Sequence, residues 1–126
     1  MGDKHTVIAK SYYDFLIQAM EMRDDLYVII LSHIINAGDD VNPNYKLFSC
    51  SKMLDRTINI DGLFNYLLYA EKLIENDDDE IQYKFRTKSL GADTCRSTEG
   101  CFKDTYIDNN MQLVIDTIEK FENGDE

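Results

Sequence analysis

The chain has no tryptophan, one proline and two histidines, and its three cysteines, Cys50, Cys95 and Cys101, are sparse and odd in number. That count argues against a disulfide framework and for reduced thiols. A zinc site wants tight ligand pairs with histidine partners, and His5 and His33 are the sole histidines; His33 reads as a core histidine hydrogen-bonded to a carbonyl. There is no GxSxG, no phosphate-cradling glycine loop and no paired metal ligands, so the nucleophile, base and oxyanion donors of an enzyme are missing. The expectation is a non-enzymatic protein without cofactor or metal. The N-terminal MGDKHTVIAK lacks the basic start, apolar middle and small-residue cleavage site of a secretory signal, so a cytoplasmic location is expected.

Positive charge is equally scarce. Against 24 Asp and Glu stand 13 Lys and Arg, for a net charge of −11. Residues 1–63 carry 6 basic and 9 acidic groups and net −3, whereas residues 64–126 carry 7 and 15 and net −8. A chain this acidic is repelled by nucleic acid and anionic membrane unless a local patch overrides the mean. The expected partner is a protein. Long apolar runs are missing too: the longest, Leu26 to Ile35, spans ten residues, whereas a bilayer crossing takes about 20.

What is present is enough for one domain over residues 1–126, with 44% hydrophobic residues and a short disordered tail from about residue 123. LYVIILSHII must be buried, and its ends suggest a helix. Asp24 and Asp25 stand where an N-cap and a first-turn acid would, and Asn36-Ala37-Gly38 supplies a stop. Against this count five β-branched residues, Val28, Ile29, Ile30, Ile34 and Ile35, which fit a strand better. The capping signals favour a central apolar helix.

Around it, Thr6 to Ala9 suits either a short strand or the lead-in to a helix. Ser11 and Asp14 have near capping-box spacing, and Tyr12, Phe15, Leu16, Ala19, Met20 and Met22 recur at helical intervals, predicting a helix to about Met22. Residues 37–44, AGDDVNPN, make a loop. Asp39, Asp40 and Asn42 resemble calcium ligands, but the loop spacing fails: Asn44 and Cys50 fall where glycine and a bidentate Glu belong. Tyr45 to Cys50 reads as a strand and Ser51 to Arg56 as a turn of helix or irregular connection. Asn59 or Asp61 would cap a helix whose apolar row is Leu63, Leu67, Ala70 and Ile74.

The clearest strand follows, with Ile81, Tyr83, Phe85 and Thr87 alternating with Gln82, Lys84, Arg86 and Lys88. Phe102 to Ile107 can pair back on it as a hairpin. Asp108 or Asn109 would cap a last helix with Met111, Val114, Ile115, Ile118 and Phe121 on one face. The fold class expected is therefore α+β: a small, mostly antiparallel sheet covered by three or four helices, Leu26 to Ile35 among them.

Three clusters are candidate sites. Lys84, Arg86, Lys88, Arg96 and Lys103 gather five cations in one hairpin and form a candidate anion or partner-binding patch, Arg86 and Arg96 being suited to bidentate donation. Lysines that guard a strand edge would look the same. Because Tyr83 and Phe85 belong to the opposite face, the interleaved aromatics of nucleic-acid binding are missing. Asp77, Asp78, Asp79 and Glu80 form an acidic run suited to docking a basic partner. Cys95 and Cys101 flank a loop as a possible redox pair.

Together these features lead to a small acidic interaction protein that binds and modulates or inhibits a protein partner. Anion sequestration by the basic hairpin and mimicry of nucleic-acid charge are the alternatives, and a homodimer fits as well as a monomer. The Ile, Asn, Asp, Lys and Tyr bias is that of AT-rich coding, which suits a virus, a phage or a low-GC cell.

Overall fold

The structure, a computed structural model, describes residues 2–47, 60–75 and 80–124. Internal contacts divide the chain between Leu63 and Phe64 into two compact units. Among the described residues there are two α-helices and two small antiparallel sheets, an α+β chain with fewer helices than the pattern predicts. No helix among these residues is long and apolar enough to cross a membrane.

In the first unit α1 runs over Gly2–Met20, nine residues ahead of the capping signal at Ser11. No proline or glycine interrupts residues 3–20, so the helical ladder continues through Thr6 to Ala9 and Ser11 sits inside it. Leu16 is buried, Tyr12 and Ala19 are half-buried, and Phe15 and Met20 are exposed. The apolar row is thus only partly covered.

Leu26 to Ile35 is not a helix. Residues 26–33 carry no regular secondary structure, and Ile34–Asn36 is strand β1, paired antiparallel with β2, Tyr45–Leu47. Both capping signals are spent elsewhere. The Asp25 carboxylate is held by the Arg23 guanidinium at 2.6 and 2.9 Å, and Asn36 Oδ1 accepts from the backbone N–H of Gly38 and Asn44, each at 3.0 Å. With the caps gone, the β-branched side chains favour extended backbone. Nor is the run buried: Ile29 is 49% and Leu31 89% exposed.

The β1–β2 loop is closed by turn chemistry. Asp39 Oδ1 accepts from the N–H of Val41 and Asn42 at 2.9 and 2.6 Å, an Asx-type turn. A Cβ on Gly38 would collide with the Asn42 carbonyl, so glycine is required there for close approach. Beyond β2, the expected strand end Phe48 to Cys50 and the Ser51 to Arg56 connection lie outside the described residues. Asp61, expected as a helix cap, opens a single 3₁₀ turn, Asp61–Leu63, and its buried carboxylate accepts from Leu47 N–H at 3.0 Å.

The second unit is built on a three-stranded sheet in the order β3–β4–β5, with β3 at Tyr69–Glu75, β4 at Glu80–Arg86 and β5 at Tyr106–Asp108. The helix expected over Leu63 to Ile74 is therefore not formed: Leu63 ends the 3₁₀ turn, Leu67 bridges singly to Arg96, and the part from Tyr69 on is strand. The same residues also alternate, with Tyr69, Glu71 and Leu73 on one side and Ala70, Lys72 and Ile74 on the other. Pairing in full seven-residue register with β4 supplies a partner that helix propensity cannot outweigh. The would-be helical row is split accordingly: Leu67 is buried while Ile74 is 64% exposed.

The period-two reading of β4 and its pairing to a later strand are seen in the structure, the latter as three residues opposite Lys84, Phe85 and Arg86. Its two faces are not simply inside and outside. Tyr83 is exposed, whereas Arg86, expected outward, is buried.

Helix α2, Met111–Glu122, is capped by Asn110, whose side chain accepts from Leu113 N–H at 3.2 Å. Asp108, an expected cap, belongs to β5 instead. Val114 and Ile118 pack with Cys101 and Phe102 into the core, walled by Tyr66, Leu68, Phe85, Ile107, Met111 and Phe121. Asn123 and Gly124, expected in a loose tail, close the helix: Asn123 N–H bonds Glu119 O, and Gly124 has φ +78°, the left-handed stop of a helix C-terminus.

Candidate functional site

The antiparallel register sets Tyr69, Arg86 and Tyr106 side by side across the three strands, with Glu71, Lys84 and Asp108 in the next row. Arg86 is the centre of this face. Its guanidinium carbon lies 5.0 Å from the centroid of the Tyr69 ring, within cation–π range. Nε donates to Glu71 Oε1 at 2.6 Å, and Nη1 donates to Lys88 O at 2.7 Å and stands 3.0 Å from Asp93 Oδ2. Burial opposes the charge on Arg86, but the hydrogen bond it donates to Glu71 and the nearby Asp93 carboxylate outweigh it and raise its pKa. The guanidinium is permanently charged and already neutralised.

The loop after β4 folds around this centre. Asp93 also accepts from the N–H of Cys95 at 3.0 Å and of Leu90 at 3.3 Å, so one carboxylate ties three points together. The Tyr69 and Thr94 hydroxyls lie 2.8 Å apart. Thr87, fully buried, donates its hydroxyl to Asp104 O at 2.8 Å, while Ser97 Oγ donates to Thr87 O at 2.9 Å. These bonds satisfy backbone polar groups around the buried Thr87, which would otherwise be costly to leave unmade.

The five cations therefore separate. Lys84 is held by Asp108 at 2.7 Å and Arg86 by two carboxylates. Lys88 and Arg96 instead line a cleft of about 340 Å³, together with Ser97, Thr98, Glu99 and Phe102. Lys103 is exposed and does not line it. In the acidic run, Glu80 is an exposed β4 residue, and Asp77, Asp78 and Asp79 lie outside the described residues. His33, expected in the core, is exposed. Among the described residues, no group of three or more His, Cys, Asp or Glu is arranged to hold a metal.

Cys95 and Cys101 are both free and buried. Burial pushes each thiol pKa up. At Cys95 a backbone hydrogen bond from Tyr69 and then the Arg86 charge offset this only partly, and at Cys101 a hydrogen bond from Tyr66 does the same. The Cys95 thiol donates to Arg86 O at 3.1 Å. Since the thiolate is the reactive species, iodoacetamide at pH 8 is expected to leave both cysteines unmodified over a time that fully alkylates the chain in denaturant, as read by peptide mass spectrometry. Fast native labelling of Cys95 would contradict its protonated, enclosed state.

Tyr69, Glu71 and Asp93 carry the site without standing out in the sequence, whereas Thr87 belongs to the alternation read there. The alternation of Tyr69, Glu71 and Leu73 was the available signal for the first two, and it is masked by an equally good helical row. Asp93 lies in a loop, where no periodicity marks it. No family model, curated protein or solved structure matches the chain.

Proposed function

We propose that this chain is a small acidic, non-enzymatic protein of viral or phage origin that works in the cytoplasm by binding a protein partner and modulating or inhibiting it. The observation that carries the reading is the exposed apolar run Leu26 to Leu31, in which Leu26, Tyr27, Val28, Ile29 and Leu31 are between 43% and 89% exposed. Contiguous apolar surface of this kind favours burial against another molecule. The exposed Asp24 precedes the run, Asp25 being paired with Arg23, and the exposed Asp39 and Asp40 follow β1. The occupant that complements it is an apolar segment flanked by Lys or Arg on the partner.

Affinity capture from native host extract tests this with wild type and the double variant Ile29→Asp/Leu31→Asp. Burying a side chain of this size is worth about 1.5–3 kcal/mol, so the double variant is expected to bind the identified partner at least about a hundredfold more weakly. Retention at full strength by this variant would remove the run as the contact. Mimicry of nucleic-acid charge predicts instead a steep loss of affinity with salt, and a homodimer would appear as a doubled mass in light scattering that the same variant halves.

A further inference from the structure

We propose that the cleft beside the end of β4 binds a phosphate monoester, with Lys88 and Arg96 as its cationic contacts. The site is separate in sequence from the apolar run and stands whether or not that run binds a partner.

The two cations reach the cleft from different segments, Lys88 just past β4 and Arg96 from the loop that bridges back to Leu67 through paired backbone bonds of 2.9 Å. That pair of hydrogen bonds fixes the Arg96 backbone, and Nε donates to Thr94 O at 3.4 Å, so the side chain starts from a defined position with its terminal Nη groups left for a ligand. Among the described residues neither cation makes an ion pair, although the chain has nearly two acids for every base. The two basic residues of β4 itself, Lys84 and Arg86, are taken up by carboxylates. What remains in the cleft is two cations against one acid, Glu99.

The walls add no further negative charge. The Cys95 thiol is kept protonated by burial and by its bond to Arg86 O, and Phe102 supplies an apolar surface. A volume of about 340 Å³ lies at the small end of ligand sites, enough for a phosphate and a modest organic group. A phosphate monoester carries nearly two charges at neutral pH and offers several oxygens, matching an Arg fork and a Lys point charge together. A polyanion is disfavoured because residues 64–126 carry net −8 and would repel its flanks.

The test is a titration of the ¹⁵N-labelled intact chain at constant ionic strength with inorganic phosphate, phenyl phosphate and a phosphoserine peptide, using benzenesulfonate as the singly charged control. Amide shifts are expected at Lys88 and over Arg96 to Gly100. Arg96→Gln and Lys88→Gln should each weaken binding at least tenfold, Glu99→Gln should tighten it, and Lys103→Gln should leave it unchanged. Lys88 is exposed, so its variant keeps the test intact if Arg96→Gln perturbs the loop. Stronger binding of phenyl phosphate assigns the site to a small metabolite, and stronger binding of the peptide to a phosphorylated protein; either supports the phosphate site. Shifts scattered equally over Lys72, Lys103 and Lys120, benzenesulfonate binding as tightly as phenyl phosphate, or full affinity in Lys88→Gln/Arg96→Gln would overturn it.

Discussion

Arg86→Met is expected to destabilise the chain by about 3–5 kcal/mol, the cost of removing one partner from a buried ion pair. The side chains of Arg86 and Asp93 are 5% and 6% exposed, so the Asp93 carboxylate left behind has little water to turn to. Glu71, at 27% exposure, relaxes toward solvent more easily. Denaturant unfolding measures the loss, and Arg86→Met/Asp93→Asn should recover part of it by removing the stranded charge. Lys84→Gln is the contrast: Asp108 is 74% exposed, and an exposed pair is worth about 0–1 kcal/mol. Equal losses in the two variants would mean that burial of Arg86 does not set its energetic role.

Phe102→Ala should cost about 3–5 kcal/mol, the range for truncating a buried aromatic. The ring is 5% exposed and meets Tyr66 edge-on, with centroids 6.5 Å apart. It belongs to the same core as Val114 and Ile118, so its loss unseats α2 from the sheet. A drop in denaturation midpoint with a lowered helical circular-dichroism signal is the expected reading, and a change below about 1 kcal/mol would contradict the placement of Phe102 at the centre of this core. Leu113→Ala, on the exposed side of the same helix at 40% exposure, should cost far less.

The contrast between the two halves of the chain explains what could be read in advance. β4 and α2 were legible because each has a single period: Ile81 to Lys88 alternates strictly, and Val114, Ile118 and Phe121 recur every three to four residues. Residues 63–75 carry both periods at once, and the choice between them is made by β4, a neighbour distant in sequence. At Leu26 to Ile35 the misleading signals were the caps. Asp25 and Asn36 have the right chemistry for helix ends, yet each finds a different local partner, Arg23 in one case and the Gly38 and Asn44 amides in the other. Short polar side chains compete for backbone and side-chain donors in several geometries, so a cap is a proposal about a helix and not proof of one.

The basic cluster shows the same limit at the level of the site. Five cations close in sequence suggest one patch, but charge alone does not reveal which of them already have carboxylate partners. Asp93, absent from any motif, is what turns Arg86 from a candidate ligand contact into the anchor of a loop. Lys88 and Arg96 are left to the cleft.

Amide hydrogen exchange of the intact chain, with and without its captured partner, tests the central claim most directly. Protection gained at residues 26–31 on partner binding is the predicted result. Protection confined to Lys88 and the Arg96 to Gly100 loop, with residues 26–31 exchanging as fast as in the free chain, would contradict it and make the cleft the point of contact.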